Sequence, residues 1–392
     1  MLPAAPDRLL SGTERAWITA DQLCPPFVNQ QVIEGRGTLD PAFLQAAVAQ
    51  AAEAHPNSRV RLRGWLGWSR WRPGPHPPPV TVVDGASWDG MSDAGAPFLQ
   101  RPLDPWRGPV SEIVLVTAGL GTRLVVRTHH AAFDGRGAGL FSADLFRALR
   151  GEALLGAAAG PLTDAALAGP GAAAAPPREE WPSPLGASSS LAFSVCWQRR
   201  RVVGPTRQLL ARAISALWHA SRVHCDRPLR VAVPVDLRRA QPGLRASGNL
   251  TGIAHQIVDG PVSAEALRSH LAGDDAASTV RAAGALRWVP LWLMRREGAR
   301  SARRALQGGR FGTSVTVSNL GRQDLAAYVG GGFEADASFW IPPGQPGLPL
   351  FVTLSGGPQG IELLGSAPVG LASGERLGNL LDTVAERLSQ AG

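Results

Sequence analysis

Strand-like and helix-like patterns alternate in both halves of the chain, and this alternation limits what the chain can fold into. The strand-like patterns are β-branched or alternating segments, at 59–63, 110–116, 122–128, 229–235, 250–258, 313–317, 332–340, 350–354 and 360–366. The helix-like patterns have apolar residues at helical spacing, at 41–55, 137–150, 206–221, 262–273, 277–296 and 373–390. Such alternation is typical of α/β domains, and 392 residues fit two of them.

The stretch from Gly151 to Ser190 is rich in Ala, Gly, Pro and Ser, which favours a connection between two domains. A short helix is predicted inside it, near 162–168. The sequence therefore predicts an N-terminal domain at 1–160, a crossover at 161–190 and a C-terminal domain at 191–392.

The most informative segment is HHAAFDG, from His129 to Gly135, which lies where a predicted strand ends and a predicted helix begins. Such junctions expose side chains on a rigid scaffold. A histidine there has a suitable pKa to take a proton from a hydroxyl or amine near neutral pH. Asp134 is poorly placed to relay charge, and pairing with an arginine would lock the loop. A lone histidine would more often be a polar residue at a strand end, but the complete pattern favours chemistry.

Here the sequence resembles the HHxxxDG acyltransferases, which include chloramphenicol acetyltransferase, nonribosomal peptide condensation domains and polyketide-associated acyltransferases. Further segments similar to that superfamily follow in order: LSGTERAW at 10–17, LDPAFLQAAVAQAAEAHPNSRVRLR at 39–63, VAVPVDLRR at 231–239, SGN at 247–249 and VSNLGR at 317–322. The resemblance thus covers nearly the whole chain. It implies an α/β pseudo-dimer of two chloramphenicol-acetyltransferase-like domains, with a tunnel and the active site at their interface.

The resemblance also implies roles for individual residues. The catalytic motif comprises His129, His130, Asp134 and Gly135, with His130 as the general base or positioning residue and Gly135 permitting the turn. Arg238 is the expected structural partner of Asp134, and Arg239 is the alternative. Ser318 and Asn319 are expected to line the tunnel near the reacting carbonyl and to help hold a developing oxyanion.

The implied function is a free-standing acyltransferase that moves an acyl group from a pantetheine thioester to a hydroxyl or amine, in natural-product or lipid biosynthesis. The donor would be an acyl carrier protein, a peptidyl carrier protein or an acyl-coenzyme A, with no bound cofactor. The DFGWG motif of plant acyl-coenzyme A transferases is absent, and no carrier or adenylation domain follows. The alternative from another class is a carrier-binding scaffold with the same fold and no chemistry.

The chain has 39 basic residues, all arginine, against 31 acidic residues, and its pI is near 10.9. This excess suggests a polyanionic partner. The segment at 59–73 interleaves arginine with tryptophan, as some nucleic-acid binders do. Strand alternation explains those arginines as one solvated face, with the tryptophans covering a domain edge. The arginine-rich run at 295–310 is expected to be a helix surface that attracts a phosphorylated donor.

Three cysteines cannot form a disulfide framework, so a reducing, cytoplasmic location is expected. The N-terminus lacks the apolar core of a secretion signal, and no segment approaches a membrane span. His219, His224 and Cys225 lack a second ligand pair, so no metal site is expected. A monomer is expected.

Overall fold

The computed structural model describes residues 7–118, 121–158, 162–175 and 180–390. Its strands are β1 (Arg8–Leu9), β2 (Val28–Gly37), β3 (Val60–Arg63), β4 (Arg70–Pro73), β5 (Val80–Asp84), β6 (Ser111–Ala118), β7 (Gly121–His129), β8 (Trp181–Pro182), β9 (Val195–Val202), β10 (Leu229–Asp236), β11 (Thr251–Val258), β12 (Arg310–Phe311), β13 (Val315–Arg322), β14 (Val329–Gly330), β15 (Phe333–Ile341), β16 (Phe351–Gly357) and β17 (Gly360–Pro368). Its α-helices are α1 (Gly12–Leu23), α2 (Pro41–Ala54), α3 (Gly135–Leu149), α4 (Asp164–Ala168), α5 (Leu209–Ser221), α6 (Ala264–Ala272), α7 (Asp275–Ala283), α8 (Leu291–Gly308), α9 (Val369–Ala372) and α10 (Arg376–Gln390).

Two six-stranded sheets organise the molecule. The first sheet has the strand order β14-β15-β2-β7-β6-β5, and α2 and α3 pack on one of its faces. The second sheet has the order β11-β10-β13-β16-β17-β9, and α5 and α10 pack on it. We call each sheet with its helices a lobe. The two smaller sheets are β1-β4-β3 and β12-β8.

The first sheet is buried on both faces, and this explains how the lobes meet. Ile33 of β2 points into the core beneath α2 and α3. The side chain of the preceding residue, Val32, points to the opposite face of the sheet, because side chains alternate along a strand. There it packs with Trp197 of β9 and Leu364 of β17, which belong to the second sheet. The outer strands of the C-terminal lobe therefore cover the second face of the N-terminal sheet.

The strand β15 joins the two halves of the chain. It follows the predicted crossover in sequence, yet it pairs antiparallel with β2 of the first sheet, from Phe333 opposite Gly37 to Ile341 opposite Gln30. The first sheet therefore contains a strand from the predicted C-terminal domain. The domain boundaries at 160 and 190 stay a prediction. Residue 161 and the centre of the TAGLG turn, Gly119 and Leu120, lie outside the described residues.

One predicted helix is wrong. The pattern at 277–296 is not continuous: α7 ends at Ala283, a 3-10 turn runs from Gly284 to Trp288, and α8 begins at Leu291. Pro290 explains the break, because proline has no N–H to donate and disfavours helical backbone at the residue before it. Among the described residues, none of the helices has both the length and the apolar character that crossing a membrane requires.

Among the elements that the sequence patterns do not predict are α1, β2 and β9. The strand β2 lacks a clear apolar pattern because Asn29, Gln30 and Gln31 are buried in it. Each of these side chains makes a hydrogen bond inside the protein; the Nε2 of Gln31, for example, donates to Tyr328 and Ser338 at 2.9 and 3.1 Å. Buried polar groups with partners are compatible with a core position, but the sequence does not reveal the partners.

Candidate active site

The HHAAFDG segment occupies the junction that the sequence predicts. The strand β7 ends at His129, and α3 begins at Gly135. Asp134 is the N-cap of α3: its Oδ1 accepts the backbone N–H of Gly137 at 2.7 Å. An aspartate there satisfies one free amide of the first turn. The helix starts two residues earlier than the apolar pattern indicates, because the cap determines its start.

Asp134 is paired with Arg238, which comes from the other lobe. The guanidinium donates Nη1 to Oδ2 at 2.9 Å and Nη2 to Oδ1 at 3.1 Å, and both side chains are buried. The remaining donors of Arg238 reach the carbonyls of Ala246 and Gly248 and the carboxylate of Asp236. A planar guanidinium matches a carboxylate in this two-bond geometry. The pair therefore joins the start of α3 to the turn after β10.

Asp134 accepts two further bonds from the C-terminal lobe, the backbone N–H of Leu250 at 2.8 Å and the hydroxyl of Thr251 at 3.1 Å. Burial alone would raise the pKa of this carboxyl. The charge and hydrogen bonds of Arg238, with the backbone donors, outweigh burial and lower the pKa below its ordinary value. Asp134 is thus held ionised with its acceptor capacity used inside the protein, which suits a structural role.

His129 is fully buried. Its Nδ1 accepts the backbone N–H of Ala131 at 3.1 Å, so we assign the ring proton to Nε2. Nε2 lies 3.6 Å from Oδ2 of Asp21, whose Oδ1 accepts the N–H of Phe27 at 2.8 Å. The first histidine of the motif therefore ties the end of β7 to α1 and has no surface open to a substrate.

His130 is partly exposed and forms a cluster with two aromatic rings that also contact each other. The ring of Phe27 stacks on it with centroids 5.1 Å apart, and Trp17 of α1 lies at 5.4 Å. The side-chain amide of Asn249, in the second lobe, donates to the carbonyl of His130 at 2.6 Å. Residues from both halves of the chain therefore hold this histidine at the junction of the lobes.

The protonation of His130 follows from these surroundings. Burial lowers its pKa to about 4, and a hydrogen bond between the ring and the residue's own backbone only partly opposes this. Nδ1 is the ring nitrogen nearest that backbone, and Nδ2 of Asn249 also lies 3.3 Å from it, so a proton on Nδ1 and a bond from Asn249 to Nδ1 are alternative arrangements. Nε2 has no hydrogen-bond partner among the described residues. His130 is neutral at pH 7, and its Nε2 is unoccupied.

The other predicted site residues lie apart from His130. A Cβ on Gly135 would lie 2.8 Å from the side chain of Leu320 in β13. The backbone of Gly135 does not adopt a positive φ, so the glycine serves close packing rather than a left-handed turn. Ser318 is half-buried and Asn319 exposed, and neither side chain hydrogen-bonds to the motif among the described residues. Arg239 bonds to the carbonyls of Leu271 and Gly273, not to Asp134.

The segment LSGTERAW builds the wall behind His130. Ser11 and Glu14 form a capping box that starts α1, with Glu14 accepting the N–H of Ser11 at 2.8 Å. Arg8 pairs with Glu14 in the buried interior at 2.6 Å. This arrangement fixes the helix that carries Trp17. Trp17, Phe27, Asp21 and Asn249 were not predicted as site residues. Trp17 lies in the LSGTERAW segment and Asn249 in the SGN segment, and those two segments were the available signal.

No cluster of three or more His, Cys, Asp or Glu side chains suited to a metal occurs in the described part of the chain. His219 instead contacts the guanidinium of Arg387. The site around His130 is therefore built from aromatic, amide and ion-paired groups.

No protein-family model and no curated protein sequence matches this chain. Solved structures do match it. A variant of the starter condensation domain of rhizomide synthetase RzmA, in complex with C8-CoA and Leu-SNAC, is 17% identical, with a TM-score of 0.63 over 97% of this chain and 93% of that one. The condensation domain of the Monacolin K polyketide synthase MokA is 15% identical, with a TM-score of 0.62 over 98% and 97%. The first condensation domain of the CDA synthetase is 18% identical, with a TM-score of 0.61 over 99% and 97%.

These similarities extend over almost the whole of each chain. The chain therefore has the fold of the condensation domains, with two lobes arranged as a pseudo-dimer. The predicted fold class is confirmed.

Proposed function

We propose that this condensation-fold chain is an acyltransferase that moves an acyl group from a pantetheine thioester to a hydroxyl or amine. The proposal rests on the state of His130: the ring is neutral at pH 7, and its Nε2 is unoccupied at the junction of the lobes. A base in that state can accept a proton from an acceptor molecule.

The reaction needs no covalent intermediate on the protein. The hydroxyl or amine loses its proton to Nε2 of His130 as its oxygen or nitrogen attacks the thioester carbonyl. The carbon–sulfur bond then breaks, and the sulfur leaves as a thiol after taking the proton from the imidazolium. Ser318 and Asn319 are proposed as the residues that approach the carbonyl oxygen when substrate binds.

The solved structures support a thioester donor. The RzmA domain was crystallised with C8-CoA and with Leu-SNAC, and the CDA domain with a substrate analogue. For this chain we propose an acyl-coenzyme A or an acyl group on a carrier protein as the co-substrate. The 39 arginines favour either donor, because coenzyme A is anionic and carrier proteins are acidic around their prosthetic group.

The test is an intact-mass screen of acyl-coenzyme A and acyl-carrier donors against alcohols and amines. With an active pair, His130→Ala should lower turnover by about 10²–10⁴-fold and leave folding intact, because the ring is partly exposed. His76→Ala, which changes an exposed histidine away from the site, is the matched control and should have wild-type turnover. Wild-type turnover by His130→Ala would disprove the assignment. Carrier binding without any transfer would favour a scaffold instead.

A further inference from the structure

Three exposed tryptophans are in ring contact and a fourth lies in the first turn of α8, and the proposed reaction uses none of them. Trp65, Trp68, Trp288 and Trp292 are 68, 59, 56 and 65% exposed. The rings of Trp65 and Trp68 are 6.1 Å apart, and Trp288 meets Trp68 edge-on at 5.6 Å. Trp292 lies four residues further, in the first turn of α8. We call these four residues the tryptophan patch. Contiguous apolar surface of this kind commonly marks an interaction site.

The tryptophan patch corrects one interpretation of the sequence. The tryptophans at 65, 68 and 71 were expected to cover a domain edge, but only Trp71 is buried. The other two lie on the 3-10 turn between β3 and β4, with their indoles in solvent.

Hydrogen bonds from a buried arginine fix the two turns that carry Trp65, Trp68 and Trp288. Arg15 of α1 is buried and donates to the carbonyl of Leu66 at 2.7 Å and to that of Val289 at 2.6 Å. A Cβ on Gly67 would lie 2.4 Å from the ring of Trp288, so the two turns are in close contact. The indoles are therefore held outward by the backbone beneath them.

Cationic groups border the tryptophan patch. Arg287 lies over the ring of Trp288 at 5.4 Å. Arg295 and Arg296 follow Trp292 by three and four residues, which places them on the same face of α8. Both are exposed, and neither makes a hydrogen bond or ion pair with any residue that the structure describes. The surface thus combines exposed indoles with unneutralised positive charge.

An apolar groove separates this surface from α1. It has a volume of about 470 Å³ and lies between α1 and α8, where Leu23, Leu286, Leu293 and Met294 line it. An apolar lining of this kind suits a hydrocarbon chain better than a phosphate backbone. Nucleic acid also favours rings with open parallel faces for stacking, whereas Trp68 and Trp288 are at 84° to each other.

We propose that the tryptophan patch, with Arg295 and Arg296, docks the protein onto an anionic lipid bilayer. Indoles are favoured at the headgroup level of membranes, where one end of the ring is apolar and the other hydrated. Exposed arginines beside the indoles add electrostatic attraction to anionic headgroups. The arginines contact lipid phosphates, and the groove faces the acyl chains. This docking is independent of the acyl transfer proposed above.

Sedimentation of the full chain with vesicles tests the proposal. The protein should bind vesicles of phosphatidylcholine with phosphatidylglycerol, bind phosphatidylcholine alone much more weakly, and be released by salt. The double variant Arg295→Glu/Arg296→Glu should lower the partition coefficient on anionic vesicles by about tenfold or more. Trp65→Ser/Trp292→Ser should lower it on both kinds of vesicle.

Matched controls come from exposed residues elsewhere. Arg207→Glu/Arg268→Glu makes the same change in net charge, and Val223→Ser removes a side chain that is 79% exposed. Both should bind vesicles nearly as the wild type does, and thermal unfolding should be unchanged in every variant. Failure to bind anionic vesicles, or equal losses in the control variants, would overturn the proposal. So would patch-dependent binding to a DNA fragment or an acidic carrier protein without vesicle binding.

Discussion

His130 depends for its chemistry on residues that are distant in sequence. Phe27 and Trp17 remove water from its ring, and Asn249 holds its carbonyl from the opposite lobe. The Asp134–Arg238 pair sets the start of the helix that follows. Desolvation thus keeps the ring neutral not only at pH 7 but down to about pH 4.

The pH dependence of the reaction should reflect that environment. The pKa of His130 is about 4, below the ordinary 6.5, so the ring stays unprotonated as pH falls from 7.5 to about 5. The acid limb of a kcat/KM profile for transfer should therefore be flat over that range and fall only near pH 4. A half-maximal rate near pH 6.5 would contradict this, because it would indicate a hydrated ring.

The same shift affects stability with a defined sign. The unfolded ring binds a proton below about pH 6.5, and the folded ring only near pH 4. His130 therefore contributes a progressive loss of stability as pH falls through that window. His130→Ala should lose this contribution, which urea unfolding at several pH values measures.

At the scale of elements, close backbone approaches determine how the site is assembled. The first turn of α3 lies against the SGN segment, and a Cβ on Gly137 would be 2.3 Å from the carbonyl oxygen of Ser247. That segment carries Asn249 to His130. The small size of Gly137 therefore controls a contact made by another residue.

Gly137→Ala should separate α3 from the SGN segment. We expect a loss of about 1–3 kcal/mol in the free energy of unfolding and a lower kcat, because backbone must move to admit the methyl group. Gly139→Ala is the matched control on the same helix, since its Cβ would meet only the ring of Trp340 at 3.8 Å. It should be neutral or stabilising by up to about 1 kcal/mol. Equal effects of the two substitutions would refute this explanation.

Elements with local signals were predictable from the sequence. Asp40 and Pro41 begin α2, and His55 ends it, as their residue types indicate. The strand β2 was not predictable, because the hydrogen-bond partners of its buried amides lie about 100 to 300 positions away in sequence. In the site, the motif indicated His130, whereas Phe27 contacts it from a segment without a motif.

At the scale of the whole molecule, a buried ionic network connects the two sheets. Arg199 of β9 is fully buried and donates to Glu34 of β2 at 2.9 Å. It also makes two bonds to Glu362 of β17, at 2.7 and 2.8 Å, and lies 3.6 Å from the centre of the Phe339 ring. Burial would raise the pKa of Glu34, but Arg199 and its neighbouring arginines lower it below its ordinary value.

Arg199→Ala should therefore destabilise the association of the lobes. We expect a loss of about 1–3 kcal/mol, because Glu362 would lose two hydrogen bonds while Glu34 would keep Arg123 and Arg201. Arg36→Ala, which removes an exposed partner of Glu334, is the control and should cost at most about 1 kcal/mol. Urea unfolding measures both, and a small effect of Arg199→Ala would mean that the network does not hold the lobes together.

The position of β15 has a consequence for biosynthesis. The strand β2 leaves the ribosome long before residues 333–341, which form its partner strand on one side. During translation of about 300 intervening residues, that edge of β2 stays unpaired, and unpaired edges template association between chains. The polar residues of β2 that are buried in the finished fold make this unpaired edge less prone to association than an apolar strand would be. A nascent chain of this protein therefore carries an incomplete first lobe until most of the second has been made.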